Sequence, residues 1–227
     1  MLSNDPKQVL WNNFVSAHRI NTDSVPLFAT ENGCVASFGY GKDQRLVLKR
    51  SAEMDTLMRQ LGQQLMTEFR QQSIVHDGIL YLMFRRENAK VIPLYFGKAE
   101  LLGKGDANLS VNISDLTTGV SKFGRWGYSY AYHLGDLSAV TLPGHPEGKK
   151  SRKYEDWRKA LFTPQCDSLT TNGDVRFWAC LWGPDRQSIW RDFGTTRLAF
   201  EEYLLIGVAS ELFPNDLLNR EGRNRLA

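Results

Sequence analysis

The stretch GILYLMFRRENAKVIPLYFGKAE, residues 78–100, places Tyr81 and Tyr95 on either side of a charged turn. A β-hairpin turn centred on Asn88 makes the two rings direct cross-strand neighbours and brings both hydroxyls to one point above a sheet. Such a pair is either aromatic packing or two polar groups held together for chemistry. A second candidate lies in TTRLAFEEYLLIGVASELFPNDLLN, residues 195–219. At about 100° per residue, Leu198, Leu205, Val208, Ala209 and Leu212 form one apolar face of a helix, and Glu202 falls inside it, about 40° from Leu198. Glu201 lies on the other flank. An ionised carboxylate drawn toward a core is unfavourable unless something compensates it, so Glu202 predicts a partner. That partner is an arginine or tyrosine hydroxyl in a structural pair, or a divalent metal, which favours oxygen ligands. A third candidate is the basic run PEGKKSRKYEDWRK, residues 146–159, with Lys149, Lys150, Arg152 and Lys153 at its centre. It reads as a solvated loop or as a contact to a phosphate backbone.

The elements that must position these residues are legible as periodicities. In the hairpin, Ile79, Tyr81 and Met83 share one face while Leu80, Leu82 and Phe84 take the other, and Pro93, which has no N–H, makes the second strand an edge strand. DVRFWACLWG, residues 174–183, alternates as a third strand, with Val175, Phe177, Ala179 and Leu181 on one side and Arg176, Trp178, Cys180 and Trp182 on the other. From Ala52 to Gln71 the apolar residues recur at helical intervals, a stripe for the core or an interdomain seam, with a dimer contact as the alternative. DPKQVLWNNFVSAHR is a helix with a cap at Asn4 or Asp5. Short strands broken at Asn32-Gly33 and Gly39–Gly41 follow it. SKFGRWGYSYAYHLGDLSAV, residues 121–140, is a helix interrupted or flanked by glycines, with Arg125 and His133 on it or at its edges, and KYEDWRKALF is a short helix. Thr195 or Thr196 caps the helix that Pro214 ends.

At 227 residues the chain is long enough to bury a core, and its three cysteines, Cys34, Cys166 and Cys180, form no C-x-x-C pair. This argues against a zinc site and against a disulfide framework. The start, MLSNDPKQVLW, has no basic region followed by an apolar run, so the sequence predicts a soluble, cytoplasmic protein without a membrane partner. The formal charge of +3 is too small to identify a polyanion partner by itself. The glycine-rich stretch after the hairpin is not a phosphate loop, because five residues rather than four separate Gly97 from Gly103 and Gly105 follows Lys104.

Taken in order, ILY (79–81), YFG (95–97), an arginine and a histidine beyond them, a third strand, EYLLI (202–206) and LLN (217–219) resemble the GIY-YIG endonuclease family over roughly residues 74–222. The resemblance implies an α/β (α+β) fold with a three-stranded antiparallel sheet flanked by helices. It divides the chain into an N-terminal extension of helices and short strands, 1–73, and a nuclease domain, 74–227. It further implies Mg²⁺- (or Mn²⁺-) dependent hydrolysis of a DNA phosphodiester, in a restriction-like or defence role. In that reading Glu202 holds the metal, Arg125 stabilises charge on the phosphate, and Tyr81 with Tyr95 positions or activates the attacking water. Lys98 and His133 lower the nucleophile's pKa or relay its proton, Asn219 is a supporting polar residue, and Lys149, Lys150, Arg152 and Lys153 contact DNA. A double-strand cut would suit a homodimer. The alternative is a binding module of the same fold, contacting nucleic acid or protein without catalysis.

Overall fold

The hairpin is the centre of the molecule. In the computed structural model, which describes residues 5–105, 108–118, 123–163 and 169–223, strands β6 (Gly78–Glu87) and β7 (Lys90–Glu100) pair antiparallel. They are joined by Asn88 and Ala89, both at positive φ (46° and 65°), the backbone of a two-residue turn whose twist matches the strands. The register differs from the expected one. The two-residue turn moves the pairing by one position, and a bulge opposite Met83 and Phe84 moves it by another. Tyr81 therefore pairs with Gly97, and Met83 pairs with Tyr95. The two tyrosines are not direct neighbours across the ladder. The bulge sits at Pro93-Leu94, where proline cannot donate.

Gly97 is what this register requires. A Cβ at that position would lie 2.4 Å from both Cζ and Oη of Tyr81, so the ring rests on the glycine across the ladder. Gly97→Ala should displace Tyr81 and lower stability by about 1–3 kcal/mol, read from the urea midpoint. An unchanged midpoint would contradict this packing.

Strand β8 (Asp174–Trp182) pairs on the other side of β6, and the two-residue β1 (Val25–Pro26) pairs with β8, giving one antiparallel sheet in the order β1-β8-β6-β7. The fold is thus α+β around a four-stranded sheet, where three strands were expected, because the stretch before residue 74 adds an edge strand too short to show a periodicity. Two small ribbons stand apart: β2 (Thr30–Glu31) with β3 (Cys34–Val35), turning at Asn32-Gly33, and β4 (Ser37–Tyr40) with β5 (Arg45–Leu48). Asn4 and Cys166 lie outside the described residues.

Both faces of the sheet are covered, as its two apolar faces demand. On the Tyr81 face pack α3 (Ala52–Arg70), α4 (Val111–Thr118), α5 (His133–Thr141) and α6 (Arg152–Leu161). The Ser51 hydroxyl accepts from Met54 N to cap α3, and its stripe, Met54, Met58 and Leu65, is buried in this core rather than offered to a second copy. On the opposite face α1 (Pro6–Ala17), α2 (Ile20–Asp23) and α7 (Leu198–Leu212) cover Leu80, Leu82, Phe84, Trp178 and Trp182. Residues on both sides of position 73 enter each core. Asp5 caps α1 through Lys7 N. The first turn of α7 is capped neither by Thr195 nor by Thr196. Instead the Asp77 carboxylate, just before β6, accepts from Leu198 N (3.1 Å) and Arg197 Nε (2.7 Å). Among the described residues no helix is long and apolar enough to cross a membrane.

Candidate active site

Beyond the bulge, β7 would expose an unpaired edge, and the segment after α7 closes it. Leu218 N donates to Leu94 O, the Asn219 side-chain oxygen accepts from Phe96 N, and its amide nitrogen donates to Phe96 O, each of the last two at 2.9 Å. Asn219 thus imitates a strand partner for the residue next to Tyr95. It holds the edge of β7 beside Tyr95, and both its polar atoms are engaged. Asn219→Ala leaves a buried donor and a buried acceptor of Phe96 unpaired and should lower stability by about 2–4 kcal/mol. Asn219→Asp, isosteric but unable to donate to Phe96 O, should lose a comparable amount at pH 7, checked by thermal melting.

At this edge a cleft of about 350 Å³ opens, lined by Tyr95, Arg125, His133, Lys153, Glu202 and Asn219, together with Tyr203, Ile206, Arg220 and Glu221. These residues come from β7, a 3-10 turn (Phe123–Arg125), the first residue of α5, the start of α6, the first turns of α7 and the closing segment. Arg125 is exposed and sits at φ 70°, directly after Gly124 at φ 53°, two successive left-handed residues. The turn is held from below by Arg50, whose buried guanidinium donates to Trp126 O, pairs with Asp55 at 2.6 Å and lies 4.2 Å over the Tyr128 ring.

His133 is buried, its Nδ1 bonded to Tyr154 Oη at 2.9 Å, while its Nε2 has no hydrogen-bond partner among the described residues. Burial, with Lys153 and Arg125 nearby, holds its pKa well below the usual histidine range, so the ring is neutral at pH 7. Lys153 lies over three rings, 5.2 Å from those of Tyr95 and Tyr154 and 5.5 Å from that of Trp157. Burial and the nearby Arg125 and Arg220 lower its pKa. Tyr95 is pushed up to about 12 by burial and by Glu202, so its hydroxyl keeps its proton.

The adjacent glutamates divide their roles differently from the expected helical phase. Glu201 is fully buried, accepting from Ile189 N at 2.8 Å and from Thr196 Oγ1 at 2.7 Å. The compensated core carboxylate is therefore Glu201. Glu202 stands half-buried at the cleft with no hydrogen bond or ion pair among the described residues, and burial, reinforced by Glu100 and Glu221 against Lys98, raises its pKa to about 7. Tyr81 does not line the cleft. It is 1% exposed beneath Gly97, and its pKa is raised by burial first and then by Tyr95 and Glu202. Lys98 pairs with Glu100 at 2.5 Å outside the lining, within the electrostatic reach of Glu202.

The basic run is dispersed. Lys153 enters the cleft, Lys149 lies 5.2 Å over the Tyr130 ring, Lys150 pairs with Glu147 and Arg152 is exposed at the start of α6. Arg220 and Glu221 carried no sequence signal as site residues, and only their neighbour Asn219 pointed toward them. Comparison with protein-family models, curated proteins and solved structures gave no match.

The chemistry of the cleft fits a hydrated divalent cation. Mg²⁺ keeps several waters and needs one or two protein carboxylates, with substrate phosphate supplying further oxygens. Glu202 is such a carboxylate, unpaired among the described residues, at the rim of a cleft that also presents Arg125 and Lys153. Among the described residues no group of three or more His, Cys, Asp or Glu clusters as a protein-only cage.

Proposed function

We propose that this chain is a metal-dependent DNA endonuclease of the GIY-YIG kind, with β8-β6-β7 as its three-stranded sheet and β1 as an addition. One observation carries the reading: Tyr95, Arg125, His133, Glu202 and Asn219, singled out from separate motifs, converge on one cleft. A Mg²⁺ held by Glu202 would supply positive charge at the scissile phosphate and acidify water there.

The chain's own groups complete the reaction's needs. Arg125, exposed and without an ion pair among the described residues, meets the non-bridging phosphate oxygens, and the Lys153 ammonium, drawn over Tyr95, adds a second charge. Tyr95 orients water by hydrogen bonding, since a phenol with a pKa of about 12 does not take up the role of base at pH 7. In the tautomer that donates from Nδ1 to Tyr154 Oη, neutral His133 keeps a lone pair on its buried Nε2 to take a proton. Tyr81 acts through Gly97 and the position of β7.

The buried position of Tyr81 favours a second reading, a binding module that has kept the cleft without cutting. The two part on filter-retained DNA recovered after incubation in Mg²⁺. The nuclease leaves it cut, whereas the binding module leaves it intact and releases it as salt rises.

A further inference from the structure

Next to the cleft the molecule displays aromatic rings to solvent. Trp190, Phe193, Phe200 and Tyr203 are 46%, 52%, 42% and 57% exposed. They form a row: Trp190 and Phe193 stack at 5.3 Å between centroids, and Phe193 and Phe200 stand 5.2 Å apart. Phe200 and Tyr203 are one turn apart on α7, and of the four rings Tyr203 lines the cleft.

The row is built rather than left over. The loop that carries Trp190 and Phe193 is tied down at both ends by Glu201, which accepts from Ile189 N before the rings and from Thr196 Oγ1 after them. A Gln187–Thr195 bridge and a hydrogen bond from Trp182 Nε1 to Thr196 O close its base. A fully buried carboxylate is thus spent on holding two large rings in water. Between its first two rings in sequence stand the exposed Arg191, free of ion pairs among the described residues, and the exposed Asp192. Flat π-faces beside a cation match a nucleobase and its phosphate. Stacking of this kind contributes about 1–3 kcal/mol per base and tolerates any sequence.

We infer that Trp190, Phe193 and Phe200 form a stacking platform for unpaired DNA bases, which delivers the adjoining phosphate to the cleft. The substrate class is single-stranded or locally opened DNA. The delivery step rests on the nuclease reading; the stacking does not.

Trp190 makes the test direct, because the other five of the six tryptophans are at most 3% exposed. In EDTA, a short oligo(dT) should quench the exposed tryptophan fluorescence of the full chain more effectively than a duplex of equal length. Trp190→Phe should remove the quenching while retaining affinity for a labelled oligo(dT) by anisotropy. Trp190→Ala with Phe193→Ala should weaken oligo(dT) binding by about tenfold or more and duplex binding less. No quenching, or single-strand affinity unchanged in the double variant, would overturn the platform. So would a wild-type dimer that the double variant converts to monomer, since the rings would then be a contact between copies. Quenching by a protein that never cuts DNA supports the platform and removes the nuclease reading, and cutting without quenching does the reverse.

Discussion

Glu202→Gln should stabilise the protein at pH 8 and, in the same molecule, remove metal-dependent cleavage. The folded-state pKa of Glu202 lies at about 7, above its ordinary 4.5, because the cleft desolvates the carboxylate and Glu100 and Glu221 repel it. The folded protein therefore holds this proton more tightly than the unfolded chain. Its contribution to stability is fully present below pH 4.5, drains as pH rises, and is gone above about 7. A glutamine has no charge to desolvate. With a discount for the partial exposure of the group, the variant should match the wild type at pH 4.5 and exceed it by about 2 kcal/mol at pH 8, roughly 5 °C in melting temperature. Added Mg²⁺ should raise the wild-type melting temperature at pH 8 and leave the variant's unchanged. Equal melting temperatures at pH 8 would mean that the carboxylate is already satisfied, and the site would lose its unpaired ligand.

Arg125→Gly should separate catalysis from stability at a second position. Arg125 is exposed, has no ion pair among the described residues and occupies a left-handed backbone conformation, φ 70°. Such a conformation is unfavourable by about 1–2 kcal/mol for a residue with a Cβ and free for glycine. The variant should therefore fold at least as well as the wild type. Loss of a preorganised cation at the phosphate should nevertheless lower the cleavage rate by about 10²–10³-fold. Arg125→Ala, which keeps the Cβ, should lose the same rate without the gain in stability. A full rate in both variants would transfer the role to Lys153 or Arg220, the other cations that line the cleft.

The two expectations show how unevenly the molecule is written in its sequence. Strands β6 and β8 were legible as short, nearly continuous apolar runs because each is buried on both faces, and the α3 stripe was readable because one side of that helix faces solvent. Helix α7 is different. The loop bearing Ile189 and Thr196 covers one side and the sheet covers another, so its apolar residues define no single phase, and the fully buried glutamate is Glu201 rather than Glu202. The tyrosine register failed for a local reason, a turn of two residues followed by a bulge at Pro93-Leu94, neither of which changes the hydrophobic pattern. Lys153 looked like one charge in a surface run. Its place in the cleft depends on α6 docking against α5, a contact without any signature in the run itself. The cap on α7 was hidden in the same way, since Asp77 reaches Leu198 across more than half the chain.

The most direct measurement is the single-turnover cleavage rate of supercoiled plasmid by the purified full chain from pH 5.5 to 9 at subsaturating Mg²⁺, beside an EDTA control and Glu202→Ala. The carboxylate must be ionised to hold the cation, so the rate should rise about tenfold per pH unit below 7, level off above it, and shift its midpoint to lower pH as Mg²⁺ is increased. The EDTA sample and the variant should not cut. Cleavage in EDTA, or a Glu202→Ala variant that cuts at the wild-type rate, would contradict a metal-dependent centre at this cleft.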